Sequence, residues 1–405
     1  MNFSIQALRI QSLSRSPFML FPNSRIRKQI SLQNSRFSKC FSTILQTSQF
    51  ESHISVTKNT FNMILRTPLV FNKFQTNYSY LVYYNPLVLI SFKETIVQNC
   101  NFIQCTSTDL DGGAILSFGP ILVSDCEFRS CQTHKQAGTV MSHMNSTIER
   151  CIAPDCVSYS VCTFCTDTTD FASSVLSMIS VTSGDCNRDG IINSGIDVET
   201  IHNDVNVSYC TTDGTYCGSQ IFNKKFTASY CNYVSNYRSY YSSGIGMEHV
   251  YGALIEYSFF YNCTRKQEHP FGGFCLYFGD TSAGGTVREC AFVHSRTPSK
   301  SSVYSAYRAD MLSIENCCFS EKEETENWNF PYKNCRFNAQ CRINTNEVRD
   351  NIVKLIPTKT ILIPHDLKMK PLRIVVLCII IVLMAINGSL FVYYKVFGPT
   401  SKKAE

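Results

Sequence analysis

Asn99-Cys100-Asn101-Phe102 and, 26 residues on, Asp125-Cys126-Glu127-Phe128 decide how this chain folds. Each is a polar residue, a cysteine, any residue and a phenylalanine. The pattern returns as Glu289-Cys290-Ala291-Phe292, Asn316-Cys317-Cys318-Phe319 and Asn334-Cys335-Arg336-Phe337. Looser copies read Cys231-Asn232-Tyr233, Ser35-Arg36-Phe37 and Tyr257-Ser258-Phe259. Residues two apart on an extended strand project from the same face. A unit that recurs this way buries that face against its own next copy, as in a solenoid.

The intervals support a parallel β-solenoid. Phe102 to Phe128 and Tyr233 to Phe259 are 26 residues each, and Phe292 to Phe319 is 27. Phe259 to Phe292 is 33, one turn with an added loop. Segments between turns, such as Ala114-Ile115-Leu116-Ser117-Phe118 and Ser174-Val175-Leu176-Ser177-Met178-Ile179, are short and rich in strand-forming residues, with no 3.6-residue apolar period. A second element places glycine before an apolar strand: Gly112-Gly113-Ala114-Ile115, Gly138-Thr139-Val140, Gly252-Ala253-Leu254, Gly272-Gly273-Phe274 and Gly284-Gly285-Thr286-Val287. Glycine there supplies a positive φ or close backbone approach at a corner. The segment from Ala153 to Gly218 breaks the repeat and is expected to be irregular and loop-rich.

These residues carry a resemblance. Gly112-Gly113-Ala114-Ile115 with Cys126-Glu127-Phe128 resembles the paired repeat of the polymorphic outer membrane proteins. Phe102-Ile103-Gln104-Cys105, Phe128-Arg129-Ser130-Cys131 and Phe259-Phe260-Tyr261-Asn262 stand as the second half of that repeat. The resemblance covers roughly residues 95 to 340. It implies a right-handed parallel β-helix displayed outside the cell, with adhesion as its role. The bacterial family ends in an outer-membrane barrel; this chain has an apolar helical segment instead, which points to a protist relative with a single-span anchor.

That segment, Leu372 to Tyr394, reads LRIVVLCIIIVLMAINGSLFVYY, with one charge, Arg373, at its edge. About 20 apolar residues span ~30 Å of hydrocarbon as a helix. Lys368, Lys370 and Arg373 before it balance Lys395, Lys402 and Lys403 after it, so flanking charge does not orient it. Of the 21 cysteines, 20 precede the span, which suits an oxidising compartment. Asn-x-Ser/Thr sequons at Asn77, Asn145, Asn206 and Asn262 point the same way. The large N-terminal part is therefore expected outside the cell or in the lumen, at the plasma membrane rather than the endoplasmic reticulum.

The resulting organisation is all-β followed by one transmembrane α-helix. Residues 1–50 form a basic lead, 51–345 the parallel β-helix, 346–371 a proline-bearing juxtamembrane stalk, 372–394 the span and 395–405 a cytosolic tail. The first fifty residues hold seven Lys or Arg, no Asp or Glu and no long apolar run. That composition fits either an organelle-targeting lead or a chain whose upstream coils precede it; the repeat echo at Ser35-Arg36-Phe37-Ser38-Lys39-Cys40 favours coils already near the N-terminus. In the tail, Lys402 and Lys403 stand three and four residues from the end, as in a dilysine retrieval signal or as ordinary membrane-flanking charge.

Constellations that resemble chemistry are weak. Cys162-x-x-Cys165 has no second pair at zinc-finger spacing. Asp185-Cys186-Asn187-Arg188-Asp189-Gly190 begins like a calcium loop, but position 12 is Ile196 where a bidentate Glu is required. Asp109, Asp111 and Asp125 are the nearest approach to a glycosidase carboxylate pair. The repeat cysteines, among them Cys100, Cys126, Cys290, Cys317 and Cys335, read either as a ladder of buried thiols or as partly bridged, since equivalent positions lie ~4.8 Å apart. Tyrosines between Tyr237 and Tyr261 are numerous enough to supply contact residues. No basic stripe suggests nucleic acid. The expectation is a membrane-anchored scaffold for adhesion or display, without enzymatic activity or cofactor. Its partners would be membrane lipid and an extracellular protein or glycan. A membrane-tethered carbohydrate-active enzyme is the alternative.

Overall fold

The computed structural model describes residues 2–341, apart from 15–16, 22–28, 48–52, 72–93, 161, 167–172, 187–189, 196–198, 223–224, 238–240, 265–274, 280–283, 295–301, 306–310 and 321–330. The stalk, the apolar segment 372–394 and the tail with Lys402 and Lys403 lie outside these residues, as do Asn77 and Gly272-Gly273. No helix among the described residues is long and apolar enough to cross a membrane.

All strand pairings among the named strands are parallel, and each links a strand to its equivalent one coil away, which makes the chain a β-solenoid. A 23-stranded sheet takes two consecutive strands from most coils, for example Thr95–Gln98 and Asn101–Ile103. An 11-stranded sheet runs from Met19–Phe21 to Val303–Ser305. A third sheet of five two-residue strands, from Thr106–Ser107 to Thr211–Thr212, covers the middle coils.

The aromatic residues of the repeat form the spine. Phe37, Phe61, Phe102 and Phe128 follow one another in register with ring centroids 5.5, 4.9 and 5.0 Å apart, all fully buried. The column resumes as Tyr233, Phe260, Phe292, Phe319 and Phe337 with near-parallel rings. Each buried ring removes enough apolar surface to contribute roughly 1.5–3 kcal/mol, and offset stacking adds to that.

Three expectations are corrected by this register. The central segment is regular: Ala153, Val181, Val207 and Tyr233 pair in sequence, so aliphatic side chains continue the column where phenylalanine is missing. Phe164 of the 11-stranded sheet packs edge-on against Phe128. Coils also occupy the basic lead, since Asn2–Gln6 pairs with Gln29–Gln33, and that strand with His53–Thr57. Finally, Phe260 and not Phe259 stands opposite Tyr233, with Ser258 in the cysteine position. The repeat there is Ser258-Phe259-Phe260, and Phe259 faces outward. One residue of frame moves a side chain to the other face of a strand.

Each coil bends twice, at the residue before each small corner residue. Asn99, Asp125, Tyr230, Tyr257 and Glu289 have φ of 53°, 54°, 58°, 50° and 54°, and Gln104, Ser130, Tyr209 and Asn262 lie between 49° and 54°. These bends lie beside the strands of the long sheet, apart from the glycine corner that precedes Ile115–Ser117. The left-handed region costs most L-residues energy, which Asn and Asp bear best. Among the glycines, Gly112 adopts a positive φ of 71°, whereas Gly113 is required for closeness: a Cβ there would lie 2.1 Å from the Gly138 carbonyl oxygen of the next coil. Gly252 and Gly285 open strands of the long sheet and so belong to a different corner.

The cysteines follow from the bends. Cys100, Cys126 and Cys151 form one column, and Cys105, Cys131 and Cys156 another, all buried with free thiols. Their thiols donate to the carbonyl two residues back and to a carbonyl one coil away, as Cys126 does to Ser124 at 3.2 Å and Val97 at 3.7 Å. Asn59, Asn236 and Ser258 replace cysteine in these columns with the same role: the Asn236 amide donates to Val207 O and its Oδ1 accepts from Cys210 N. The cysteine is a small corner plug with a weak donor. Burial pushes the Cys100 and Cys126 thiols up, and those of Cys210 and Cys231 to about 12. Among the described residues one disulfide is present, Cys318–Cys341, formed by the cysteine that faces outward in Asn316-Cys317-Cys318-Phe319.

Candidate functional site

The long sheet presents four outward columns: the two residues flanking each inward aromatic and the two bend residues. In the first half of the solenoid these columns carry many polar residues, alongside apolar ones such as Met63 and Ile103. The first bend carries Asn34, Lys58, Asn99, Asp125 and Arg150, and the strand carries pairs such as Arg36/Ser38, Thr60/Asn62 and Glu127/Arg129. Asp125 and Arg150 close a two-pronged ion pair at 2.7 and 3.0 Å, and this partner holds the Asp125 carboxyl below the usual carboxylate range.

Between residues 209 and 294 several positions of the same columns are aromatic, while others, such as Ser235 and Glu289, stay polar. Tyr230 and Tyr257 occupy successive first bends and stack at 5.2 Å, 54% and 48% exposed. Phe259 and Tyr261 flank the inward Phe260, with centroids 6.0 Å apart. His294, at the second bend one coil on, meets the Tyr261 ring edge-on at 5.7 Å. Tyr209, at a second bend, is 61% exposed. Glu256, the residue before Tyr257, accepts from Ser229 and Arg288. Exposed aromatic rings on a rigid strand frame lose little entropy on contact, which suits them to binding. Of the tyrosines singled out by sequence, Tyr257 and Tyr261 belong here, while Tyr240 is outside the described residues. Phe259 and Tyr230 were missed, because their outward direction follows from the register alone.

The opposite corner holds a second aromatic group, Tyr216, Tyr241, Tyr277 and Tyr304, on the outer side of the 11-stranded sheet. Tyr216 is fully buried, fills the space left by Gly246 and donates to Glu248; burial, then the Glu248 charge, pushes its hydroxyl pKa up.

The other candidate residues are dispersed. Asp109 pairs with Arg66 at 3.1 Å, Asp111 accepts from Gln136 N and Asp125 is held by Arg150, so each carboxylate has a structural partner. Asp185 accepts from Thr211, and 187–189 lie outside the described residues. Cys162 and Cys165 are buried beside Val70, Leu116 and Met141. Among the described residues no group of three or more His, Cys, Asp or Glu is placed to hold a metal ion.

The sequons differ in access. Asn145 is exposed, its Oδ1 accepting from Ser173 N. Asn262 is exposed at the second bend. Asn206 is 6% exposed, and its Nδ2, the atom a glycan would occupy, donates to Ser180 and Ser208. Comparison with family models, curated proteins and solved structures finds no match, so the likeness to polymorphic outer membrane protein repeats rests on the residues themselves.

Proposed function

We propose that this protein is a membrane-anchored display scaffold whose β-solenoid stands outside the cell and offers the Tyr230–Tyr257–Phe259 face to an extracellular protein or glycan. The observation that carries this reading is the change in the outward columns: the same bend and strand positions that hold Lys58, Asn99 and Asp125 early in the solenoid hold aromatic residues in these successive coils. Packing of the core does not call for that change. The anchor in this reading is the apolar run 372–394, and the Cys318–Cys341 disulfide is the feature that suits a lumenal or extracellular domain. Engagement of Asp109, Asp111 and Asp125 in structural contacts favours a scaffold over the tethered carbohydrate-active enzyme.

The test is antibody labelling of intact cells that express the full chain with a tag before Asn2, together with adhesion of those cells to a glycan- and protein-coated surface. Labelling without permeabilisation and adhesion reduced at least severalfold by Tyr230→Ser with Tyr257→Ser support the reading. Labelling only after permeabilisation, or adhesion indifferent to the two changes, overturns it. If replacing Lys402 and Lys403 by Ser moves the protein from internal membranes to the surface, the tail is a retrieval signal and the scaffold works inside the cell.

A further inference from the structure

The second bend of the long sheet brings together a modification sequence and an aromatic wall. Asn262-Cys263-Thr264 is a sequon, and Asn262 is held by the coil at φ 49°, exposed, with its backbone N–H bonded to Val293 O at 2.9 Å. Its Nδ2 donates to Ser235 Oγ at 3.3 Å, in the coil before. The residue above it in the same column is His294, exposed, and the residue beside it is Tyr261, half-buried; their rings meet at 5.7 Å, with Phe259 a further 6.0 Å along the face. Asn145 shares the exposure, and Asn206 lacks it. Asn262 thus combines exposure with an adjoining ring pair, Tyr261 and His294.

We propose that Asn262 carries an N-linked glycan whose first N-acetylglucosamine packs against Tyr261 and His294, covering this end of the aromatic face and leaving Tyr230 and Tyr257 open. The proposal rests on the reading that the solenoid enters the secretory lumen. The chemistry is a condensation catalysed by the host cell: Nδ2 of Asn262 displaces the lipid-pyrophosphate of an oligosaccharide donor, loses a proton, and forms the N-glycosidic bond. The hydroxyl of Thr264 completes recognition of the acceptor. Once attached, the apolar C–H face of the sugar ring removes the Tyr261 and His294 edges from water. At Asn206 the same reaction on the folded coil is blocked, because the residue is only 6% exposed and its side-chain nitrogen is enclosed between Ser180 and Ser208.

The full chain expressed in eukaryotic cells and purified in detergent is digested, and glycopeptides spanning Asn145, Asn206 and Asn262 are measured by mass spectrometry. The expected result is high occupancy at Asn262 and little at Asn206. The role of the wall is read by thermal unfolding: Asn262→Gln lowers the melting temperature of the parent, and the same change in a Tyr261→Ser background produces no further shift. Occupied Asn145 with empty Asn262 overturns this proposal and leaves the lumenal reading in place. Absence of glycan at all sequons overturns both. Occupied Asn262 with equal shifts in the two backgrounds overturns the packing of the sugar on Tyr261.

Discussion

Phe102 and Phe128 lie directly opposite each other on adjacent coils, rings 5.0 Å apart and within 7° of parallel. This contact is the unit from which the solenoid is made, because its repetition lets a chain of short strands share one continuous core without any coil having a core of its own.

Replacing Phe128 by Ala is expected to destabilise the protein by about 3–5 kcal/mol, since the cavity would open between Phe102 and the edge of Phe164. Phe259→Ala, one position from an equivalent inward ring, should cost below about 1 kcal/mol because that side chain faces outward. Denaturant unfolding of the full chain measures both. Equal losses would show that the outward and inward frames are wrongly assigned.

His202 is fully buried with neither ring nitrogen hydrogen-bonded, set edge-on to Phe226 at 5.2 Å. Burial drives its pKa down to about 3 from 6.5. The folded-state value is depressed, so between these limits the unfolded chain binds the extra proton. Stability is therefore complete above the unfolded pKa and falls as the pH drops from 6.5 towards 3, by about 1.4 kcal/mol per unit within that window. His202→Leu, matching Leu176 of the preceding coil, should remove this part of the slope. An unchanged slope in unfolding curves at pH 4 to 7 would refute the assignment.

Met178 occupies a first bend at φ 53°, is 39% exposed, and has neither the short polar side chain nor the freedom of glycine that eases this conformation. Met178→Asn is expected to stabilise by roughly 1 kcal/mol, as the side chain then suits the left-handed region. The shift in thermal midpoint checks it, and a destabilised variant would mean that the Met178 side chain packs more than its exposure indicates.

The thiol columns should be silent in the native state. Burial raises the pKa of Cys100 and Cys126, which denies them both thiolate and access, whereas Cys335 is only partly buried. Brief treatment with a small maleimide at neutral pH, followed by peptide mapping, should mark Cys335 and spare Cys100, Cys105, Cys126, Cys131, Cys151 and Cys156 until denaturant is added. Early loss of the column thiols would show that the coils open readily.

Much of the architecture was legible from Asn99-Cys100-Asn101-Phe102 and its copies, because a strand side chain must alternate and a 26-residue recurrence must stack. The aliphatic stretch was not legible. Val181 and Val207 fill the phenylalanine column, but a lone valine carries no mark that separates a spine position from any other strand position. The bends were half legible. Asn99 and Asp125 suit a left-handed backbone, whereas Tyr209, Tyr230 and Tyr257 are held in it by bend N–H groups bonded to a carbonyl of the next coil, as Tyr230 N is to Glu256 O.

What the amino-acid sequence determined alone is the existence of the solenoid, the inward pairing of Cys with Phe and the presence of an apolar run near the C-terminus. What only the tertiary structure decided is which residues face out. Phe259 and Phe260 are chemically identical neighbours, and either could enter the core under a two-residue period. The choice is made by the hydrogen bond from Phe259 N to Cys231 O and by the stacking of Phe260 on Tyr233, two contacts with a coil 27 residues earlier that no local pattern contains.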